Sequence, residues 1–204
     1  MSEKAPKKWI CVFCGSANGT RPEYPAAATE LGRRIAENGH GLVYGGATAG
    51  LMGAVADAAL EAGGKVVGVI PGVIIDLEVA HHGLTEFHVV GTMHERKALM
   101  ASRSDAFIAL PGGYGTMDEF LEIVTWAQLK IHSKPCVLVN VDGYYDSLLK
   151  FLDQAVEHGL IKPRNRELIQ VAKNVDEALE IVEREWRMRG EPSPHDAKLD
   201  ELVK

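Results

Sequence analysis

Trp9-Ile-Cys-Val-Phe-Cys14-Gly-Ser-Ala-Asn-Gly-Thr20 starts with six consecutive apolar residues and ends in a turn of glycines and small polar residues. A strand that is apolar at every position has no solvent face. It reads as buried on both sides, as in a parallel sheet covered by helices. Side chains alternate along a strand, so Cys11 and Cys14 point to opposite faces. Their C-x-x-C spacing therefore reads as two packing thiols, and no second cysteine pair exists to complete a metal site.

The same alternation continues outward from this stretch. A helix is expected over Glu23–Asn38, stopped by Gly39, then a strand over Gly41–Tyr44 and a helix over Leu51–Ala62, stopped by Gly63 and Gly64. Strands at Lys65–Ile70 and, more weakly, Phe87–Val90 precede a helix from Met93 to about Ser102. Ala106–Leu110 (strand), Gly115–Ile131 (helix), Pro135–Val141 (strand), Tyr144–Glu157 (helix), Leu168–Ala172 (strand) and Val175–Arg187 (helix) complete the series. This is the pattern of a doubly wound α/β fold, a mostly parallel Rossmann-like sheet with helices on both faces. One domain over residues 9–189 is expected, with loose ends at 1–8 and 190–204.

The 204 residues are 46% hydrophobic and 25% charged, and 22 Lys+Arg against 28 Asp+Glu give a net charge of −6. No basic block is present, which disfavours nucleic acid or an anionic membrane as the main partner. No apolar run is long enough to span a bilayer, and the first residues lack the apolar core of a signal peptide. A cytoplasmic protein is expected.

Three of the strands run into glycine-rich loops: Cys14-Gly-Ser-Ala-Asn-Gly-Thr20, Gly45-Gly46-Ala-Thr-Ala-Gly50-Leu-Met-Gly53 and Pro111-Gly112-Gly113-Tyr114-Gly115-Thr116. In a parallel sheet all three lie at the carboxyl edge, where helix N-termini offer unpaired N–H groups to an anion, most simply a phosphate. Neither G-x-G-x-x-G nor a P-loop G-K-[ST] occurs, which disfavours a dinucleotide dehydrogenase or an ATPase. His81-His82 lack further spaced ligands, so no metal site is expected, and without G-x-S-x-G a serine hydrolase is disfavoured.

Two charges stand where a bland reading leaves a question. Arg96 and Lys97 flank the apolar stripe of the helix Thr92-Met-His-Glu-Arg-Lys-Ala-Leu-Met100, and Arg96 has no acidic residue three or four positions away. It serves either a distant structural ion pair or a bound anion. Thr116-Met-Asp-Glu119 has the form of a capping box, which would give Glu119 a structural duty. Yet Glu119 also lies beside the proposed phosphate loop, where a carboxylate is repelled. Asp118 is expected to face solvent and complement the helix dipole.

Pro111-Gly-Gly-Tyr-Gly-Thr-Met-Asp-Glu119 fits P-G-G-x-G-T-x-x-E and resembles the LONELY GUY family, the cytokinin riboside 5′-monophosphate phosphoribohydrolases often mislabelled lysine decarboxylases. Met93-His-Glu-Arg-Lys97, Phe13-Cys-Gly-Ser16, Gly50-Leu-Met-Gly53, Ser104–Leu110, Thr125–Gln128 and Asn140-Val-Asp-Gly-Tyr-Tyr145 extend the likeness over about residues 9–185. The resemblance implies a Rossmann-like homodimer that hydrolyses the N-glycosidic bond of an adenosine 5′-monophosphate, often N6-prenylated, to free base and ribose 5-phosphate. It implies no metal or organic cofactor. By position it makes Arg96 and Glu119 the catalytic pair and gives the phosphate to Gly112, Gly113, Tyr114, Gly115 and Thr116. It puts Glu78, Lys97, Asp118 and Thr125 on the substrate, with Gly45 and Gly46 beside them. A non-catalytic nucleotide or cofactor carrier of the same fold is the alternative, and it would need the loops but not both Arg96 and Glu119.

Overall fold

The structure, a computed structural model, describes residues 5–74 and 80–189. Glu78 and the end segments 1–4 and 190–204 lie outside the described residues. Seven parallel strands form one sheet: β1 (Trp9–Phe13), β2 (Gly41–Tyr44), β3 (Val66–Pro71), β4 (Glu86–Val90), β5 (Ala106–Ala109), β6 (Cys136–Val139) and β7 (Ile169–Ala172). Their order is β4-β3-β2-β1-β5-β6-β7. The chain winds outward in one direction from β1 and then restarts at β5 in the other. The crevice between β1 and β5 is thus the switch point at which such sheets bind ligands.

The helices are α1 (Glu23–Glu37), α2 (Gly50–Glu61), α3 (Met93–Ser102), α4 (Tyr114–Gln128), α5 (Asp146–Glu157), the short α6 (Pro163–Arg166) and α7 (Val175–Arg189). Alternation along each strand feeds two separate cores. Ile10, Val12, Leu42, Tyr44, Ile108 and Val139 pack against Leu31 and Ile35 of α1, Val55 of α2 and Leu179 of α7. Cys11, Phe13, Val43, Phe107 and Leu138 pack on the other face against Met100 of α3, Phe120 and Ile123 of α4 and Leu152 of α5. Cys14 belongs to the first core and Cys11 to the second, so the two thiols diverge as the strand period requires. Edge strand β4 is the exception, with Glu86, Phe87 and Val89 exposed, which accounts for its weak signal in the sequence.

Most element boundaries fall within two residues of the expected ones. One that differs further is the end of α4. It stops at Gln128 rather than Ile131, because Lys130 takes a left-handed conformation (φ 60°). The Ile131 N–H returns to the Trp126 carbonyl (2.9 Å) and the Lys130 N–H to that of Ala127 (3.0 Å), closing a Schellman-type stop without glycine. A search for glycine stops passes over such a site. A side chain with a Cβ is strained at Lys130, so Lys130→Gly should raise stability by about 0.5–1 kcal/mol, read as an increased chemical-denaturation midpoint at unchanged m-value.

Candidate active site

The three glycine-rich loops follow β1, β2 and β5, adjacent strands at the centre of the sheet. They are stitched together by their own backbones. The Gly15 N–H donates to the Pro111 carbonyl (3.0 Å) and the Leu51 N–H to that of Gly15 (3.0 Å). The approach is too close for side chains at Gly112, where a Cβ would come within 2.0 Å of the Thr116 hydroxyl and 2.9 Å of the Gly15 nitrogen. A segment entering from residue 80 closes the second loop from outside, with an Ala47–Ala80 bridge and the His81 N–H on the Gly46 carbonyl (2.9 Å).

The sequence carries the pattern Thr-Met-x-Glu twice, at 92–95 and 116–119. Only the first caps a helix. Thr92 is the N-cap of α3, its hydroxyl accepting from the Glu95 N–H (3.1 Å), and the Glu95 carboxylate reaches back to the Gly91 N–H (2.7 Å). The expected box at Thr116–Glu119 does not form. The close approach of Gly112 to Thr116 and Gly15 lets α4 begin at Tyr114, with Gly113 as N-cap and no side-chain cap. Thr116 is therefore already inside the first turn, buried, and Glu119 lies in the second turn rather than the first.

This register fixes the face that Glu119 occupies. Thr116, Phe120 and Ile123 form the buried stripe of α4, and the half-buried Glu119 borders it. Its field reaches the far end of β1. Burial is the main cause that pushes the Cys11 and Cys14 thiols above their ordinary range, and the negative charge of Glu119 adds to both. Arg96 acts on Cys11 in the opposite sense. The carboxylate and the guanidinium thus both bear on Cys11, in the middle of β1, from different helices.

Arg96 is 3% exposed, and its Nη2 donates to the Gly45 carbonyl (2.9 Å). Gly45 has to be glycine for this, because a Cβ there would lie 2.2 Å from the same Nη2. The neighbouring Lys97 is also buried, and its Nζ meets the Asp118 carboxylate at 3.1 Å and that of Glu122 at 3.0 Å. Burial works against the Lys97 ammonium, but Glu122 and Asp118 outweigh it and hold the pKa above the ordinary lysine value. Asp118 does face solvent, as expected, while also serving this pair. Glu122 was not singled out in the sequence, although its i+4 spacing from Asp118 is the signal that could have found it. Thr125 continues that stripe, exposed, with its hydroxyl on the Leu121 carbonyl (2.8 Å). Tyr114 is almost wholly exposed beside Gly113 and Gly115. Among the described residues, no cluster of three or more His, Cys, Asp or Glu could hold a metal ion.

A family model described as "Possible lysine decarboxylase" matches residues 52–182. A probable cytokinin riboside 5′-monophosphate phosphoribohydrolase of Oryza sativa subsp. japonica is 51% identical over 95% of this chain and 77% of its own length. A cytokinin riboside 5′-monophosphate phosphoribohydrolase of Arabidopsis thaliana is 51% identical over 88% and 83%. The chain belongs to the LONELY GUY family. Among solved structures, the molybdenum cofactor carrier protein of Chlamydomonas reinhardtii superposes with a TM-score of 0.67 at 28% identity, covering 89% of this chain and 99% of that one.

The older family description does not suit Lys97. A Schiff-base lysine must be neutral to attack a carbonyl, and two carboxylates keep this one protonated. The contact between loop and helix also yields a direct test. Gly45→Ala should expel the Arg96 guanidinium from its carbonyl and lower kcat/KM for nucleotide hydrolysis at least about tenfold, a loss of roughly 1.4 kcal/mol in transition-state stabilisation. Equal steady-state constants for Gly45→Ala and the native protein would separate Arg96 from the reaction.

Proposed function

We propose that this protein hydrolyses the N-glycosidic bond of adenosine 5′-monophosphates, including N6-modified ones, releasing the free base and ribose 5-phosphate. Membership of the family supports the reaction. The observation that carries the assignment of roles is that Arg96, bonded to the Gly45 carbonyl, and Glu119, one turn into α4, both bear on Cys11 of β1, next to a loop whose backbone suits a phosphate.

In this reading the N–H groups of Gly112 to Thr116 at the start of α4 receive the 5′-phosphate, and this binding energy fixes the ribose. The C1′–N9 bond breaks with its electron pair passing to the purine, leaving an oxocarbenium-like sugar. Glu119 lies against that positive charge and takes a proton from the attacking water, whose oxygen bonds to C1′. The proton balance is completed at the purine nitrogen. Arg96, held by Gly45, faces the negative charge of the leaving base. Lys97, Asp118 and Thr125 line the approach along α4 and α3, and Glu78 is assigned to the substrate by its place in the family motif.

Two chains are expected to associate. Edge strand β4 exposes Phe87 and Val89, with Val73 and Met93 also exposed at neighbouring positions in the chain. Apolar groups on an open strand edge call for cover. Light scattering should give twice the 22.2 kDa chain mass, and a monomer at micromolar concentration would refute the dimer. A cytoplasmic enzyme acting on small nucleotides, with neither nucleic acid nor membrane as its partner, is consistent with the net charge of −6. No helix among the described residues is long and apolar enough to cross a membrane.

Glu119→Gln keeps the shape of the side chain but removes its charge and its basicity. It should lower kcat for AMP and N6-isopentenyl-AMP by about a thousandfold or more while nucleotide binding survives, measured by chromatography of released base and by calorimetry. Nucleotide binding without base release by the native protein would instead support a carrier.

A further inference from the structure

The turn after β6, Asn140-Val-Asp-Gly-Tyr-Tyr145, has so far had no task. It is rigidly built. The Asn140 side chain accepts from the Tyr145 N–H (2.7 Å) and donates to the Asp146 carboxylate (2.7 Å), while the Asn140 N–H donates to the Ala172 carbonyl (2.8 Å). From this platform two tyrosine hydroxyls reach the third glycine-rich loop. Tyr145, buried, donates to the Leu110 carbonyl (2.6 Å), and Tyr144 donates to the Gly112 carbonyl (2.7 Å).

Between these two, the Pro111 carbonyl accepts from Gly15, and the next one along, Gly113, accepts from Met117 as the first helical bond of α4 (3.1 Å). All four successive carbonyls from Leu110 to Gly113 are therefore tied to protein donors. An untethered carbonyl oxygen turned into the crevice would repel an anion there. Each peptide is trans, so its carbonyl and the following N–H point in opposite directions. Tying the Pro111 carbonyl to Gly15 and the Gly112 carbonyl to Tyr144 turns the Gly112 and Gly113 N–H groups the opposite way. There they join the first-turn N–H groups of α4, which have no helical acceptor.

We propose that Tyr144 is a positioning residue for the phosphate of the substrate, acting through the Gly112 carbonyl to aim the Gly113 N–H at the anion, while Tyr145 steadies the start of the loop at the Leu110 carbonyl. The proposal rests on the nucleotide reading given above. The same turn also braces the first loop. Asp142 pairs with Arg21, and the Tyr144 ring packs edge-on against Tyr24 (5.4 Å between centroids) and Tyr145 (4.8 Å). The phosphate site is thereby held by a turn two strands away from β1. Burial raises the Tyr145 hydroxyl well above the ordinary phenol range, so it remains a donor at any working pH.

Tyr144→Phe removes one hydroxyl from a side chain 40% exposed and leaves both ring contacts in place. Calorimetry with ribose 5-phosphate and with adenosine, together with steady-state kinetics on AMP, tests the proposal. The dissociation constant for ribose 5-phosphate and the KM for AMP should each rise about fivefold to tenfold, with adenosine affinity unchanged and kcat within a factor of about two. Equal weakening of adenosine and ribose 5-phosphate, or a fall in kcat at constant KM, overturns the proposal. If native protein binds ribose 5-phosphate and Tyr144→Phe binds it equally well, the brace is refuted and the nucleotide reading stands. If native protein binds neither ribose 5-phosphate nor AMP, the nucleotide reading fails, and this proposal with it.

Discussion

Arg96 and Lys97 are adjacent on one helix and both are buried, and an uncompensated charge in the interior costs more than any local preference could offset. Each cation is answered by a different part of the molecule. Lys97 binds α3 to α4 through Asp118 and Glu122. Arg96 binds α3 to the second glycine-rich loop through the Gly45 carbonyl. Compensation of these two charges sets where α3, α4 and that loop stand relative to one another, and hence where Glu119 lies. A change that neutralised either cation would move the crevice before it altered any chemistry.

Much of the architecture was legible because the strands are buried on both faces and the helices are amphipathic. The apolar runs gave the central strands, and the placement of glycines gave the carboxyl edge. What escaped was decided by longer-range packing. Nothing in Thr-Met-x-Glu distinguishes residues 92–95 from 116–119. The first becomes a cap because Gly91 leaves an N–H within reach of Glu95. The second does not, because the contact of Gly112 with Gly15 and Thr116 allows α4 to start earlier. Likewise Lys130 ends α4 where no glycine marks the spot, since bonds from residues 130 and 131 back into the helix offset the local strain. Arg96 and Glu119 were visible as anomalies, but they come to bear on the same strand, at Cys11, only once α3 and α4 are folded.

The fold alone leaves the activity open, because the same kind of sheet serves proteins that carry a ligand as well as proteins that transform one. A carrier needs N–H groups and a crevice. It gains nothing from a carboxylate held next to an anion site, which weakens binding of the anion in the ground state. In the proposed reaction, the cost of Glu119 to phosphate binding would be returned when positive charge develops on the sugar.

That condition puts a demand on the phosphate loop. If the anion could drift toward Arg96, phosphate and guanidinium would pair, and the ribose would move away from Glu119. The loop must therefore bind phosphate firmly at one place through dipoles rather than through a mobile cation, because backbone N–H groups cannot follow a ligand as a lysine or arginine side chain can. Rigid dipoles require rigid carbonyls behind them. The tethers on Leu110, Pro111 and Gly112 supply that rigidity from two sides of the sheet's switch point. The buried Arg96, fixed on Gly45, is held back from following the phosphate. In the proposed reaction, anchoring the arginine and anchoring the loop would be one requirement: both would keep the two ends of the nucleotide apart while the bond between sugar and base is broken.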